Sequence, residues 1–78
     1  MDDREKLLRI LSDACPKVDF ERETDLVDAG LIDSLDLVTI VSEIMEQFGV
    51  EINVNDLLPE NFNTAGAMLD LIRRKKNG

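Results

Sequence analysis

Residues 33–49, which read DSLDLVTIVSEIMEQFG, have the clearest helical pattern in the chain. Its apolar residues recur at the spacing that places them on one face of a helix. We predict a helix over residues 34–48, with Asp33 as the N-cap and Gly49 just past the C-terminal end. The apolar stripe of this helix consists of Leu37, Val41, Ile44 and Phe48, widened by Ile40 and Met45.

Two further helices are predicted on either side of this one. Residues 3–14 have apolar residues at helical spacing, and Asp2 or Asp3 can cap their first amides. Pro16 then stops that helix. At the other end of the chain, Thr64 is the expected cap of a last helix that runs to Lys75 and ends in the cationic sequence RRKK.

The connections between these helices differ in character. Residues 16–33 form a loop too long for a plain connection, so we expect Leu26, Leu31 and Ile32 to anchor it. Residues 50–54 alternate in polarity, but a lone strand has no partner, so an extended loop is predicted. The residues alone predict a short helical turn over 56–58, before Pro59.

The predicted fold class is therefore all-α: a small four-helix bundle with three longer helices, one short helix and a long loop between the first two helices. With 78 residues, the chain suffices for a single domain, residues 1–78. The expected core consists of Leu7, Ile10, Leu11, Leu37, Val41, Ile44, Phe48, Leu57, Phe62, Met68, Leu71 and Ile72.

Charge is unevenly distributed along the chain. The formal net charge is −8, and no Lys or Arg occurs from Glu23 to Ile72. A segment this acidic repels phosphate backbones, which excludes nucleic acid as a partner. It attracts basic protein surfaces instead, although a solvated acidic surface is the plainer interpretation.

The composition argues against catalysis and against several kinds of site. The chain has no His, Tyr or Trp and a single cysteine, Cys15. No base is placed to activate Ser34, and no glycine-rich phosphate loop or EF-hand pattern is present, so we expect no enzyme activity and no metal site. No apolar run is long enough for a membrane span, and we expect a cytoplasmic monomer without disulfides, in which Cys15 packs at a helix end.

Ser34 raises a question, because it is a hydroxyl at a predicted helix start with no base nearby. A helix N-terminus has free amides and a partial positive charge, which suit an attached anionic group. Ser34 can therefore be the acceptor in a reaction that another enzyme catalyses. The alternative is that its hydroxyl only helps to cap the helix.

Two segments resemble the acyl and peptidyl carrier protein family. The first is DLVDAGLIDSLDLVTIVSEIMEQFGVEI at residues 25–52, in which Asp-Ser-Leu at 33–35 matches the attachment motif of the family. The second is PENFNTAGAMLDLI at residues 59–72, which resembles its third and fourth helices. The resemblance covers about residues 5–73, nearly the whole chain.

The resemblance implies a 4′-phosphopantetheine arm on Ser34, added from coenzyme A by a phosphopantetheinyl transferase that uses magnesium. The terminal thiol of the arm would hold an acyl or aminoacyl group as a thioester, for delivery to partner enzymes with basic docking surfaces. Activation and acyl-transfer chemistry would belong to those partners, and the chain itself would act as a carrier.

The resemblance also assigns recognition roles to four residues near Ser34. Asp33 would contact the basic transferase or position its metal-bound substrate. Leu35, which lies off the buried stripe, would be an exposed apolar contact rather than a core residue. Asp36 and Glu46 match acidic docking positions, although both can equally be ordinary solvated charges.

The sequence does not decide which group such a carrier would hold. Fatty-acid-type carriers usually have glutamate where Thr39 stands and methionine where Ser42 stands. The approach LIDSL and the segment PENFNT look more like D-alanyl carrier proteins and small stand-alone carriers that work with amino-acid-activating enzymes. A different class of function, an acidic helical protein-binding module without a prosthetic group, is the alternative.

Overall fold

A computed structural model describes residues 2–77 of the protein. All regular secondary structure within that range is helical. The predicted all-α class and the small four-helix bundle are confirmed. In chain order the elements are α1 (Asp3–Ala14), α2 (Ser34–Phe48), a 3-10 turn (Val54–Asp56), α3 (Pro59–Phe62) and α4 (Ala65–Asn77).

The helix ends follow the capping residues of the sequence. The Asp2 side chain accepts a hydrogen bond from the backbone N–H of Glu5 (2.8 Å), and Thr64 Oγ1 accepts one from Ala67 (2.9 Å). Gly49 has φ +66°, the left-handed conformation that lets the chain leave α2 without a Cβ clash. Helix α4 runs to Asn77, two residues beyond the predicted end.

The core lies where α1 packs against α2 and α4, and α3 closes one side against α4. Most of the predicted core is buried, including every predicted position of α1 and α4. Leu37 and Phe48 are only half-buried, and Leu57 is 36% exposed, so its placement in the core was wrong. Buried residues beyond the predicted core are Cys15, Phe20, Leu26, Ile32, Ile40, Ile52, Ala65 and Leu69.

The short helix predicted over residues 56–58 was placed wrongly. The chain makes a 3-10 turn at Val54–Asp56 instead, and α3 begins at Pro59. Proline is well suited to the first position of a helix, because its missing N–H has no intrahelical partner there and its φ is already helical. Pro59 therefore starts a helix rather than ending one, which agrees with the family resemblance of residues 59–72.

The loop between α1 and α2 is held by buried apolar side chains. Phe20, Leu26 and Ile32 are buried, so two of the three predicted anchors are confirmed, whereas Leu31 is 37% exposed. Gly30 has φ +72°, and this left-handed turn lets the chain reverse just before α2. The loop therefore delivers residue 33 to a fixed place at the start of α2.

Candidate functional site

Ser34 is the first residue of α2, and its side chain is exposed. The cap of α2 is supplied by its neighbour, because Asp33 Oδ1 accepts a hydrogen bond from the backbone N–H of Asp36 (2.8 Å). The helix therefore does not depend on the Ser34 hydroxyl for its cap. The side chain is accessible at the N-terminal end of a fifteen-residue helix.

The two carboxylates that flank Ser34 form a reciprocal capping box. Asp33 caps Asp36, and the backbone N–H of Asp33 donates in return to Asp36 Oδ2 (3.4 Å). Asp36 is half-buried, whereas Asp33 is exposed. This reciprocal pair fixes the backbone on both sides of Ser34 and therefore the place from which its side chain projects.

Cys15 lies beside this capping box, at the C-terminal end of α1. Burial raises the pKa of the Cys15 thiol, and the negative charges of Asp36 and Asp33 raise this pKa further. A thiol of raised pKa is protonated at neutral pH and is a poor nucleophile. Cys15 is buried at a helix end, as predicted, and it packs against the start of α2 rather than adding reactive chemistry.

The start of α2 has the chemistry that a covalently attached phosphate ester needs. Ser34 offers an exposed hydroxyl for the ester bond, and the first turn of α2 offers the partial positive charge of its amides. The Asp33 and Asp36 carboxylates already bind amides of this turn, so they offset part of that charge. The residues present therefore fit a serine-linked phosphopantetheine group.

The exposed face of α2 continues from this site along the helix. Leu35 is 78% exposed, as predicted, and Val38, which the sequence analysis did not single out, is 61% exposed. Ser42 and Glu46 are exposed as well, and their spacing places them on the same face as Leu35 and Val38. Asp36 lies on a different side of the helix, toward Cys15. The structure therefore brings Leu35 and Glu46 together on one face and separates Asp36 from them.

Asn63, the C-cap residue of α3, was missed by the sequence analysis. Its side-chain Oδ1 accepts hydrogen bonds from the backbone N–H groups of Val27 (3.0 Å) and Asp28 (3.1 Å), and its Nδ2 donates to Asp28 Oδ2 (3.0 Å). An asparagine between a short helix and the Thr64 cap was a local signal of a polar contact. Its partners lie more than thirty residues away, and local patterns do not reveal such a distant contact.

Two kinds of site were sought across residues 2–77. No group of three or more His, Cys, Asp or Glu side chains in that range is arranged to hold a metal ion. None of the helices formed by those residues is both long and apolar enough to cross a membrane.

Comparison with known proteins identifies carriers as relatives. A D-alanyl carrier protein of Streptococcus suis is 30% identical over 70 residues, which is 88% of this chain and 89% of the relative. A D-alanyl carrier protein of Streptococcus mutans is 27% identical over 78 residues, 99% of either chain. One from Streptococcus uberis is 27% identical over 56 residues, 72% of this chain and 71% of the relative.

The family match covers most of the helical bundle. The family model described as "Phosphopantetheine attachment site" matches residues 5–72, a range that contains α2 and α3 entirely and most of α1 and α4. Members of this family are carriers rather than enzymes, and a phosphopantetheinyl transferase and biosynthetic enzymes act on them. The chain belongs to the phosphopantetheine attachment-site family of carrier proteins, whose prosthetic group is a covalently bound 4′-phosphopantetheine.

Proposed function

We propose that Ser34 is the attachment residue and that the protein carries an acyl or aminoacyl group on the attached arm to partner enzymes. The observation that carries this proposal is the exposed Ser34 hydroxyl at the start of α2, in an Asp-Ser-Leu sequence inside the family match. When bound, 4′-phosphopantetheine supplies a terminal thiol that holds the cargo as a thioester. The chain presents and positions this group, and the partner enzymes catalyse the transfers.

The surface that partners recognise is proposed to be the exposed face of α2. Leu35 and Val38 offer apolar contact next to Ser34, and Glu46 offers a charge three turns further along the helix. Exposed apolar side chains beside acidic ones suit a partner with an apolar pocket and a basic rim. Asp33 adds exposed charge at the start of α2, whereas the role of Asp36 is mainly to hold the first turn through the capping box.

The proposed cargo class is aminoacyl, with D-alanine as the first candidate. The relatives described above are named D-alanyl carrier proteins, and the match with the one from Streptococcus mutans extends over 99% of both chains. Thr39 and Ser42 are both exposed on α2, so this face differs in charge and apolarity from the usual fatty-acid-type face. A test is to offer the modified protein to a D-alanine-activating enzyme and, separately, to an acyl-activating enzyme for long fatty acids. Thioester formation with the fatty acid alone would refute the aminoacyl proposal.

The proposal includes a single-domain monomer in the cytoplasm. The supporting features are the one core that joins α1, α2 and α4 and the lone buried thiol of Cys15, which suits a reducing compartment. Sedimentation equilibrium of the modified protein tests the monomer, and a dimer would refute it.

Transfer from coenzyme A tests the attachment residue. The unmodified protein is incubated with coenzyme A, magnesium and a broad-specificity phosphopantetheinyl transferase, and its intact mass is measured. We expect one added phosphopantetheine group on the wild type and none on Ser34→Ala. Ser12→Ala removes an exposed hydroxyl from α1 instead and is expected to be modified normally.

Partner binding separates this function from that of an acidic binding module without a prosthetic group. A carrier delivers cargo only when Ser34 is present, and Leu35→Ala and Glu46→Gln should weaken its use by partner enzymes. A binding module would be indifferent to Ser34→Ala and would depend on the acidic side chains alone. A wild type that carries no cargo, and that binds its partners as well as Ser34→Ala does, would favour the module.

A further inference from the structure

Asn63 holds the loop that leads into α2, and we propose that it is a positioning residue for the modification of Ser34. This inference rests on the proposed function, because it concerns how the transferase meets Ser34. Asn63 touches neither Ser34 nor the reacting atoms. It acts through the backbone of residues 26–32.

Asn63 makes hydrogen bonds to one turn of the loop with both its backbone and its side chain. Its backbone carbonyl accepts a hydrogen bond from the N–H of Leu26 (3.0 Å), and its side-chain Oδ1 accepts from Val27 and Asp28 (3.0 and 3.1 Å). The Nδ2 group donates to the Asp28 carboxylate (3.0 Å). One asparagine thus satisfies three consecutive backbone amides and orients a carboxylate, as a helix cap does for a helix.

The turn that Asn63 holds is itself hydrogen-bonded to the residues that come just before the attachment site. The carbonyl of Leu26 accepts hydrogen bonds from the N–H groups of Leu31 (2.9 Å) and Ile32 (3.1 Å). Leu26 and Ile32 are both buried, so this small loop is fixed to the core. Ile32 is followed directly by Asp33, the cap of α2. A short path of hydrogen bonds and peptide bonds therefore joins Asn63 to Ser34.

Asn63 is also the link between two parts of the molecule that lie far apart in sequence. Among residues 2–77, every hydrogen bond between the loop 16–33 and the segment 54–77 involves Asn63. Without its side chain, the loop would keep its apolar anchors but lose the groups that satisfy Val27 and Asp28. A transferase would then have to order the loop during binding, and this ordering opposes association.

The positioning role of Asn63 predicts different effects on kcat and on KM for the modification of Ser34. The chemistry at Ser34 is supplied by the transferase, so kcat for the modification should stay close to the wild-type value. For Asn63→Ala we expect kcat/KM to fall about fivefold, mainly through a higher KM, which is the scale of one lost net hydrogen bond. Amide hydrogen exchange at Val27 and Asp28 should become faster in the same variant.

Exchanging the donor and the acceptor between residues 63 and 28 should restore KM. Asn63→Asp keeps an acceptor for the amides of Val27 and Asp28 but sets two carboxylates against each other, so it should also raise KM. Adding Asp28→Asn restores a donor opposite an acceptor and returns the net charge to that of the wild type. The double variant should recover most of the wild-type KM, while Asp28→Asn alone controls for the lost charge.

Asn61→Ala is the matched control, because this asparagine lies on α3, two residues before Asn63, but has different hydrogen-bond partners. Its side chain contacts the carbonyl of Asp56 (2.9 Å) and the Arg74 guanidinium (3.3 Å). All variants are compared well below their unfolding midpoints, so that folded protein is assayed. We expect Asn61→Ala to leave KM unchanged.

The outcomes separate this inference from the proposed function. A wild type that gains no adduct at Ser34 overturns the proposed function before any Asn63 variant is tested. If the wild type is modified, an Asn63→Ala protein with unchanged KM overturns the positioning role. An equal loss in Asn61→Ala, or a double variant no better than Asn63→Asp, overturns it as well.

Discussion

At the scale of single residues, the neighbours Asp33 and Ser34 at the start of α2 have separate tasks. Asp33 caps the helix through its bond to the Asp36 amide, and Ser34 keeps an exposed hydroxyl. A serine that served as the cap would have its hydroxyl occupied by a backbone amide. Placing the cap one residue earlier leaves the hydroxyl accessible to another enzyme.

This division of tasks is testable with two substitutions. Asp33→Ala should lower the free energy of unfolding by about 1 kcal/mol, because the N-cap acceptor is lost. Ser34→Ala should change this free energy by less than about 0.5 kcal/mol, because the exposed side chain supports no cap. Urea unfolding followed by circular dichroism measures both. A larger loss for Ser34→Ala than for Asp33→Ala would mean that Ser34 is the cap.

The residue scale also shows what the sequence could reveal about the site. The Asp33 cap was predicted from an aspartate at the start of an apolar stripe, and the exposure of Leu35 from the family resemblance and its position off that stripe. Both depend on features within one helix. The capping role of Asp36 was not predicted, because aspartate is an unusual partner in a capping box and its charge suggested docking. The contacts of Asn63 could not be predicted, since they join residues brought together only by the fold.

At the scale of elements, α2 has one face in the core and one in solvent. Ile44 is fully buried, whereas Val38 is largely exposed. Ile44→Ala should lower the free energy of unfolding by about 2–5 kcal/mol, because it leaves a cavity in the core. Val38→Ala, the matched control on the same helix, should change it by less than about 0.5 kcal/mol. Equal losses in urea unfolding would contradict the assigned orientation of α2.

The turn between α2 and α3 is tied to α4 by an ion pair. Lys75 Nζ lies 2.7 Å from Asp56 Oδ2, and the same carboxylate oxygen accepts a hydrogen bond from the N–H of Asn53 (2.9 Å). The hydrogen bond from Lys75 lowers the pKa of the Asp56 carboxyl below its ordinary value of 3.8, and the Asn53 amide adds to this effect. The carboxylate thus holds the 3-10 turn and α4 together in its ionised form.

This lowered pKa predicts a defined pH dependence of stability. Because the pKa of Asp56 is lower in the folded state than in the unfolded state, its contribution is fully present above the ordinary pKa of 3.8. The contribution is lost as the pH falls further, through the folded-state pKa. Lys75→Met should therefore flatten the fall in stability below this pH, measured as urea midpoints from neutral to acidic pH.

Arg73→Met is the control for this experiment. It removes the same charge from an exposed position of α4, two residues away from Lys75. We expect this variant to keep most of the wild-type slope below the ordinary pKa of Asp56. Equal slopes in the wild type and Lys75→Met would contradict the proposed role of the ion pair.

The elements also show where prediction from sequence succeeded and failed. The bounds of α1 and α2 were predicted correctly, because strong caps and an uninterrupted apolar stripe define them. The bounds of the elements between α2 and α4 were harder to predict, because Pro59 can end one element or begin the next. Leu57 was assigned to the core for its apolarity, but the 3-10 turn before it leaves it partly exposed. Short elements have too few residues for periodicity to decide their bounds.

At the scale of the whole molecule, charge is separated along the chain. The net charge is −8, and Lys and Arg are absent from Glu23 to Ile72, the range that contains all of α2 and α3. The electrostatic attraction of a basic transferase should therefore depend on ionic strength. Salt at about 0.15 M screens charges beyond roughly 8 Å, and kcat/KM for modification should fall as salt is added.

Two charge-reversal variants test whether the exposed face of α2 causes this salt dependence. Glu46→Lys changes the charge at the exposed face of α2 and should weaken the salt dependence, whereas Glu5→Lys makes the same change on α1. Initial rates of modification at several salt concentrations measure the slopes. The same slope in the wild type and Glu46→Lys would mean that the face of α2 does not guide the transferase.

The most direct test of the carrier function is to locate the attached group in the sequence. The protein is produced in cells together with a phosphopantetheinyl transferase, and its fragments are analysed by tandem mass spectrometry. We predict a single phosphopantetheine group on the fragment that contains Ser34, and none when Ser34 is replaced by alanine. An unmodified chain, or a group that persists on Ser34→Ala, would contradict the account.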